Sequence, residues 1–161
     1  MELEIKLFGT MRKMLDGMLA DVDEASLFEL PHGGGNSPAW ILGHLTIANQ
    51  LGSFLLGGDP PDEKRLALFG PGSNPDIAPA DAPSIAELTA VFGSSADAMC
   101  QAAANASDEQ LAASREGQLL AEAFPTVRDM LGHLLTTHFS LHIGQFSAWR
   151  RSRGLPSILQ I

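Results

Sequence analysis

The sequence predicts an all-α protein, a four-helix bundle in which a long crossover joins the second and third helices. Apolar residues recur every three or four positions in four long segments, and helix-start signals precede three of these segments. No stretch alternates between apolar and polar residues in the manner of a half-buried strand. At 161 residues, 45% of them apolar, the chain is long enough to bury one core, so we expect a single domain over residues 1–161.

The first helix is predicted from about Leu3 to Val22. Its apolar positions lie three or four residues apart, and they are Leu3, Leu7, Met11, Met14, Leu15 and Met18. Pro31 and three successive glycines at positions 33–35 then disfavour a helix and predict a flexible connection.

The second helix begins after this connection. Asn36 or Ser37 is a suitable N-cap, and Pro38 suits the first helical turn, where its missing N–H costs nothing. We expect the helix to end near Gly57 and Gly58.

The long crossover covers Gly57 to Pro83, which is rich in Pro, Gly and Asp. Within it, only Glu63 to Phe69 could form a short helix. The third helix begins at Ser84, because Ser84 and Glu87 have the spacing of a capping box, and it ends before Ser107.

The fourth helix is the longest. Thr126 and Asp129 form another cap pattern at its start, and Gly154 and Pro156 stop it after Arg153. The segment 119–124 before it is ambiguous between extended and irregular structure.

Composition restricts the possible partners. A formal net charge of −9 disfavours nucleic acid and acidic membranes as partners. The single cysteine, Cys100, cannot form an internal disulfide, and the N-terminus lacks the apolar core of a secretion signal. No apolar run reaches the roughly 18 residues needed to span a bilayer. We therefore expect a cytoplasmic protein.

Three histidines lie on apolar helix faces. His138 and His142 are four residues apart on the stripe of the fourth helix, so their side chains can reach one ion. His44 lies on the matching stripe of the second helix. Burying an imidazole without partners costs roughly 1 to 3 kcal/mol, and one shared metal ion satisfies all three rings. The open alternative is a metal-free bundle in which hydrogen bonds satisfy the histidines.

Three further polar residues, Gln145, His133 and His32, are candidates for a role beside this triad. Gln145 falls about one turn after His142, so it is a candidate cofactor-binding residue that contacts a metal-bound ligand, although orienting a histidine ring is the commoner role. His133 lies five residues before His138, which rotates it about 140° from the ligand face of an α-helix, so we do not expect it to be a ligand. His32 lies in the glycine-rich connection, where a loop role is expected.

Two segments resemble the DinB-like superfamily of metal-binding four-helix bundles, which includes the YfiT-like thiol transferases. One is Asn36-Ser-Pro-Ala-Trp-Ile-Leu-Gly-His-Leu45; the other is His138-Phe-Ser-Leu-His-Ile-Gly-Gln145 followed by Trp149-Arg-Arg-Ser-Arg-Gly-Leu-Pro156. The resemblance implies a zinc or nickel ion on His44, His138 and His142, a homodimer, and a thiol cosubstrate such as mycothiol or bacillithiol. The chain departs from the pattern at Ile143, where family members often carry Arg.

The resemblance thus implies a metal-dependent enzyme that acts on a small-molecule substrate, either a thiol S-transferase with an electrophilic substrate or a hydrolase. Fold alone does not establish activity. The alternative is a non-enzymatic module that uses the same triad to bind a metal or a small ligand.

Overall fold

A computed structural model describes residues 1–157, and within that range the chain is helical without a β-strand. The predicted all-α class is confirmed. The helices are α1 (Glu2–Leu19), α2 (Pro38–Phe54), α3 (Glu63–Phe69), α4 (Ile85–Asn105), α5 (Asp108–Ala112), α6 (Val127–His133) and α7 (Phe139–Ser152). Single 3₁₀ turns lie at Ser26–Phe28 and Pro79–Asp81.

The cap signals in the sequence place the helix starts correctly. The side chains of Ser37, Ser84 and Thr126 each accept a hydrogen bond from the backbone of the first helical turn. The short helix expected in the crossover is α3, capped by Asp62. The connection after α4 contains the short helix α5, which the simple four-helix description omits.

The first helix ends at Leu19, three residues before the predicted end. No glycine or proline stops it there. Instead, the buried guanidinium of Arg150 donates to the carbonyl of Met18 and to the carboxylate of Asp21, so α7 holds the end of α1. This boundary is set by a tertiary contact.

The fourth predicted helix is a continuous rod with a change of winding in its middle. Residues Leu134–His138 form a π-helical turn between α6 and α7. The extra residue in such a turn changes the face on which later side chains lie. Leu141, which the regular spacing assigns to the buried stripe, is 60% exposed as a result.

The core centres on α2, whose residues from Pro38 to Asn49 are all buried. One face of α2 packs along α4, and α1 packs on the π turn and α7. Two glycines permit close approach: Gly43 lies against the Phe69 ring, and Gly52 lies against Met99. Leu3 and Leu7, predicted for the apolar stripe of α1, are exposed. No helix in residues 1–157 combines the length and apolarity of a membrane span.

Candidate metal centre

Three histidines from three helical segments come together in the core. His44 comes from the middle of α2, His138 ends the π turn, and His142 lies in the first turns of α7. One ring nitrogen from each histidine can be chosen so that the three nitrogens all lie within 4.8 Å of one another. His44 and His142 are buried, and His138 is partly buried. The structure thus brings together the residues that helical periodicity selected.

The ring of His44 is held from behind by a backbone carbonyl. Its Nδ1 lies 2.7 Å from the carbonyl oxygen of Phe69, to which the Nδ1–H donates. This contact leaves the lone pair on Nε2, which lies 3.2 Å from Nε2 of His138. Trp40 stacks on the same ring with centroids 4.6 Å apart. The His44 ring therefore has a fixed orientation and tautomer.

The ring of His142 is held by a side-chain amide. Its Nδ1 lies 3.0 Å from Oε1 of Gln145, and the same oxygen accepts a hydrogen bond of 3.1 Å from the Asn36 side chain. This contact matches the ring-orienting role considered for Gln145.

His138 is the histidine without such support. Its Nδ1 is buried and has no hydrogen-bond partner among residues 1–157. Burial, followed by the neighbouring histidines, lowers the pKa of His138 to about 3. Burial and His44 lower the pKa of His142 to about 4, and burial lowers that of His44. All three rings are therefore neutral at pH 7, the form that can donate a lone pair to a metal.

His133 lies beside the cluster, and its expected rotation away from the ligand face is wrong. The 140° argument assumes a regular α-helix, whereas the i→i+5 winding of the π turn places residues five apart nearly above one another. The rings of His133 and His138 meet edge to face with centroids 5.4 Å apart. His133 also stacks on Phe124 and hydrogen-bonds Thr137. It borders the cluster of three without joining it.

A cavity of about 300 Å³ opens beside the cluster and is lined in part by His44, His133 and His138. We call this cavity the chamber. Most of its other lining residues are apolar, and they come from α2, α3, α6, the π turn and the connections between helices. Residues 116–124, which we call the roof loop, cover part of it through Leu119 and Leu120.

Residues 119–124 of the roof loop were ambiguous in the sequence, and the loop consists of successive turns. An isolated antiparallel bridge between Ser114 and Thr126 closes its base. The guanidinium of Arg115 then donates to the carbonyls of Leu119 and Phe124 within the loop. Leu120 has a φ of 62°, a conformation that a branched side chain rarely adopts.

The remaining sequence candidates lie away from the cluster. His32 is exposed in its turn and does not line the chamber. Ile143 is buried and borders a separate groove with Met11 and Met14. The indole of Trp149 donates to the carbonyl of Glu29, so that residue connects α7 to the chain after α1.

Two contributions to the site were not predicted. Phe69 acts through its backbone carbonyl, which no side-chain pattern reveals. Asn36 was considered only as a cap, but Ser37 caps α2 and Asn36 contacts Gln145 instead. The position of Asn36 at the start of the segment that contains His44 was the available signal.

Comparison with known proteins identifies the family of this chain. The DinB superfamily model matches residues 7–146, a range that includes all three histidines and Gln145. A search of curated proteins gave no match. Because the matched range is most of the chain, the protein belongs to the DinB superfamily.

Proposed function

We propose that the protein is a metal-dependent enzyme that transfers a low-molecular-weight thiol to an electrophilic substrate. His44, His138 and His142 are the proposed metal ligands. The observation that carries the proposal is the convergence of three neutral imidazoles, two of which, His44 and His138, line an apolar chamber. A core histidine cluster without function would not need an adjoining cavity.

The donor set fits zinc or nickel, since both accept neutral imidazole nitrogen. The carbonyl of Phe69 and the amide of Gln145 hold two of the rings, as carbonyl and amide groups behind metal-bound histidines commonly do. The ring of His138 is held through Nε2, which lies 3.2 Å from Nε2 of His44, so this nitrogen faces the other rings of the cluster. Three protein ligands leave a coordination position open, as in catalytic zinc sites.

The bound ion would supply Lewis acidity, which favours the thiolate form of a thiol. The chain's own contribution is to orient the ring nitrogens and to keep water from the reacting groups with the apolar walls of the chamber. In the transfer, the thiol sulfur forms a bond to the electrophilic carbon. The leaving group departs with its bonding electrons, and the thiol proton passes to solvent.

Metal content is the first test. Protein purified without chelator and supplied with zinc or nickel should contain about one ion per chain by elemental analysis. His44→Ala, His138→Ala and His142→Ala should each lose it, whereas His32→Ala, at an exposed turn, should keep it. Absence of metal from the wild type would contradict the proposal.

Turnover is the second test. Bacillithiol or mycothiol is mixed with 1-chloro-2,4-dinitrobenzene, and thiol loss and chloride release are measured together. The metal-loaded protein should consume both reactants in equal amounts, and the His138→Ala variant should not. Metal binding without product would instead favour the alternative function.

That alternative is a non-enzymatic module that binds a metal or a small ligand. One observation favours it: in the part of the chain that the structure describes, no Asp, Glu, Lys or Cys lines the chamber, so proton-transfer groups are limited to the histidines. Saturable binding of thiol without loss of the electrophile would support this module.

We also propose that residues 1–161 form one domain, that the protein is a homodimer, and that it acts in the cytoplasm. Light scattering at micromolar concentration gives the mass in solution, and a mass of one chain would contradict the dimer. Cooperative unfolding in one transition would support the single domain.

A further inference from the structure

We propose that the chamber selects a small apolar molecule that carries one carboxylate, and that Arg115 determines this charge preference. The inference names the substrate class of the site proposed above and rests on the chamber being its substrate pocket. It concerns residues that the metal ligation does not use. The contacts, burial and charge of these residues support the inference.

The walls and the mouth of the chamber are apolar. Apolar residues form most of the lining, and they come from α2, α3, α6, the π turn and the connections between helices. At the mouth, Leu66, Leu119 and Leu120 are 42%, 68% and 49% exposed. Exposed large apolar side chains gathered at an opening are typical of a ligand site. A volume of about 300 Å³ lies at the small end for ligand pockets, so the body of the ligand is compact.

Among residues 1–157, Arg115 is the only Asp, Glu, Lys or Arg in this lining. The sequence contains 19 acidic residues, yet none of those described lines the chamber. Three histidines, His44, His133 and His138, also line it, and an imidazole adds no negative charge in either protonation state. The chamber therefore has a positive local potential inside a protein of net negative charge, and it disfavours a cationic ligand.

Arg115 is a buried cation without an anionic partner. Its side chain is 2% exposed, and no carboxylate in residues 1–157 forms an ion pair with it. Its two terminal nitrogens donate to the carbonyls of Phe124 and Leu119 at 2.9 and 2.8 Å, and its Nε has no partner. Carbonyls satisfy donors but do not neutralise a charge, and an unneutralised buried charge is costly. An anion in the adjoining chamber would offset that cost.

The same contacts connect the ligand to the roof loop. Leu119 contributes its side chain to the chamber and its carbonyl to Arg115. A bound carboxylate would thus contact Arg115, the residue whose hydrogen bonds hold the roof loop. Arg115 would recognise the charge of the ligand, and the roof loop that Arg115 holds would cover the apolar body of the ligand.

The test uses three ligands with one apolar body: 4-phenylbutyrate, 4-phenylbutanol and 4-phenylbutylamine. Calorimetric titrations are made with metal-free protein in chelator, so the result does not depend on the metal proposal. The acid should bind roughly tenfold more tightly than the alcohol, the scale of one charge interaction in a partly buried site, and the amine should bind most weakly. Arg115→Gln should bind the acid and the alcohol with equal affinity, and Arg115→Lys should retain part of the preference for the acid. Arg128→Gln, at an exposed residue outside the chamber lining, should leave the ratio unchanged.

A second variant keeps the test decisive if Arg115 variants do not fold. Leu120 is exposed at the mouth and has a positive φ, which Asp tolerates better than Leu, so Leu120→Asp should fold. Its carboxylate should weaken binding of the acid and strengthen that of the amine. Equal binding of the three ligands by the wild type, a preference for the amine, or no binding of any of them would overturn the inference. If the wild-type protein bound no metal but still preferred the acid, that result would refute the proposed function and leave this inference standing.

Discussion

At the scale of single residues, the three histidines of the cluster differ in how each ring is held. His44 and His142 both donate from Nδ1 to an oxygen, which fixes the tautomer that leaves Nε2 free. His138 has no such partner in the described chain. The geometry of the cluster therefore depends on groups behind two of the rings, which makes Gln145 a sensitive position.

Gln145→Leu should weaken zinc binding by roughly tenfold to a hundredfold, the usual cost of removing the group behind a metal-bound histidine. The substitution removes the oxygen that holds His142 and that Asn36 also contacts. Competition with a fluorescent zinc chelator measures the affinity.

Two comparisons make this result specific. Gln101→Leu changes an exposed glutamine on α4 and should leave zinc affinity unchanged. The urea midpoint of the metal-free Gln145→Leu protein should stay close to that of the wild type. Wild-type zinc affinity in this variant would show that Gln145 only packs against the ring.

The lowered histidine pKa values predict acid sensitivity of the metal-free protein. In the folded state the pKa of His138 is about 3 and that of His142 about 4, whereas unfolded histidine titrates near 6.5. Below pH 6.5 the unfolded state thus binds more protons, so stability is lost as pH falls. Between pH 6.5 and 5, one such ring should cost about 2 kcal/mol of unfolding free energy, at about 1.4 kcal/mol per pH unit.

Urea unfolding in chelator at pH 7 and pH 5 checks this expectation, since most carboxylates stay ionised over that range. The wild-type midpoint should fall, and His142→Leu should show a smaller fall than the wild type. Equal pH dependence in the two proteins would mean that the rings titrate normally in the folded state.

At the scale of elements, local signals determined where helices begin, and tertiary packing determined the rest. Ser84 with Glu87 and Thr126 with Asp129 make reciprocal cap contacts that the sequence displays directly. The π turn has no comparable local signature, because an extra residue in a helix is set by packing on both sides. His133 was therefore assigned the wrong face, although the triad itself was recognised from spacing.

The packing of α3 on α2 predicts a strong effect at Gly43. An added Cβ would overlap the ring of the fully buried Phe69, whose carbonyl holds His44. Gly43→Ala should therefore destabilise the protein by on the order of 1 to 3 kcal/mol, as overpacking does, and should also reduce zinc affinity.

Gly9→Ala is the matched control, because a Cβ at Gly9 in α1 meets nothing within 4 Å. Removing a glycine from a helix interior there should be neutral or stabilise the fold by up to about 1 kcal/mol. Urea midpoints and zinc competition compare the two variants. If Gly43→Ala behaved like Gly9→Ala, α3 could move away without disturbing the site.

At the scale of the whole molecule, the two ends of the helical core are joined by a buried cation. Arg150, near the end of α7, is 3% exposed, and its guanidinium contacts the carbonyl of Met18, the carboxylate of Asp21 and the carbonyl of Pro156. These contacts fix α7 against α1. Because α7 also carries His142, the contacts of Arg150 that hold α7 against α1 also help to position the cluster. Periodicity alone gave no sign of this pairing, which joins residues 129 positions apart.

Asp21→Asn should lower the stability of the fold, because it removes the negative charge that neutralises buried Arg150. The hydrogen bond from Arg150 lowers the pKa of Asp21 below its ordinary value. A carboxylate with a lowered folded-state pKa contributes stability above its unfolded pKa and loses it as pH falls through the folded value. The difference in urea midpoint between wild type and Asp21→Asn should therefore be largest near neutral pH and should shrink below about pH 4. Asp59 is an exposed acid in the crossover, and Asp59→Asn should show no such difference. If Asp21→Asn had wild-type stability at pH 7, the carbonyls of Met18 and Pro156 would suffice to hold Arg150.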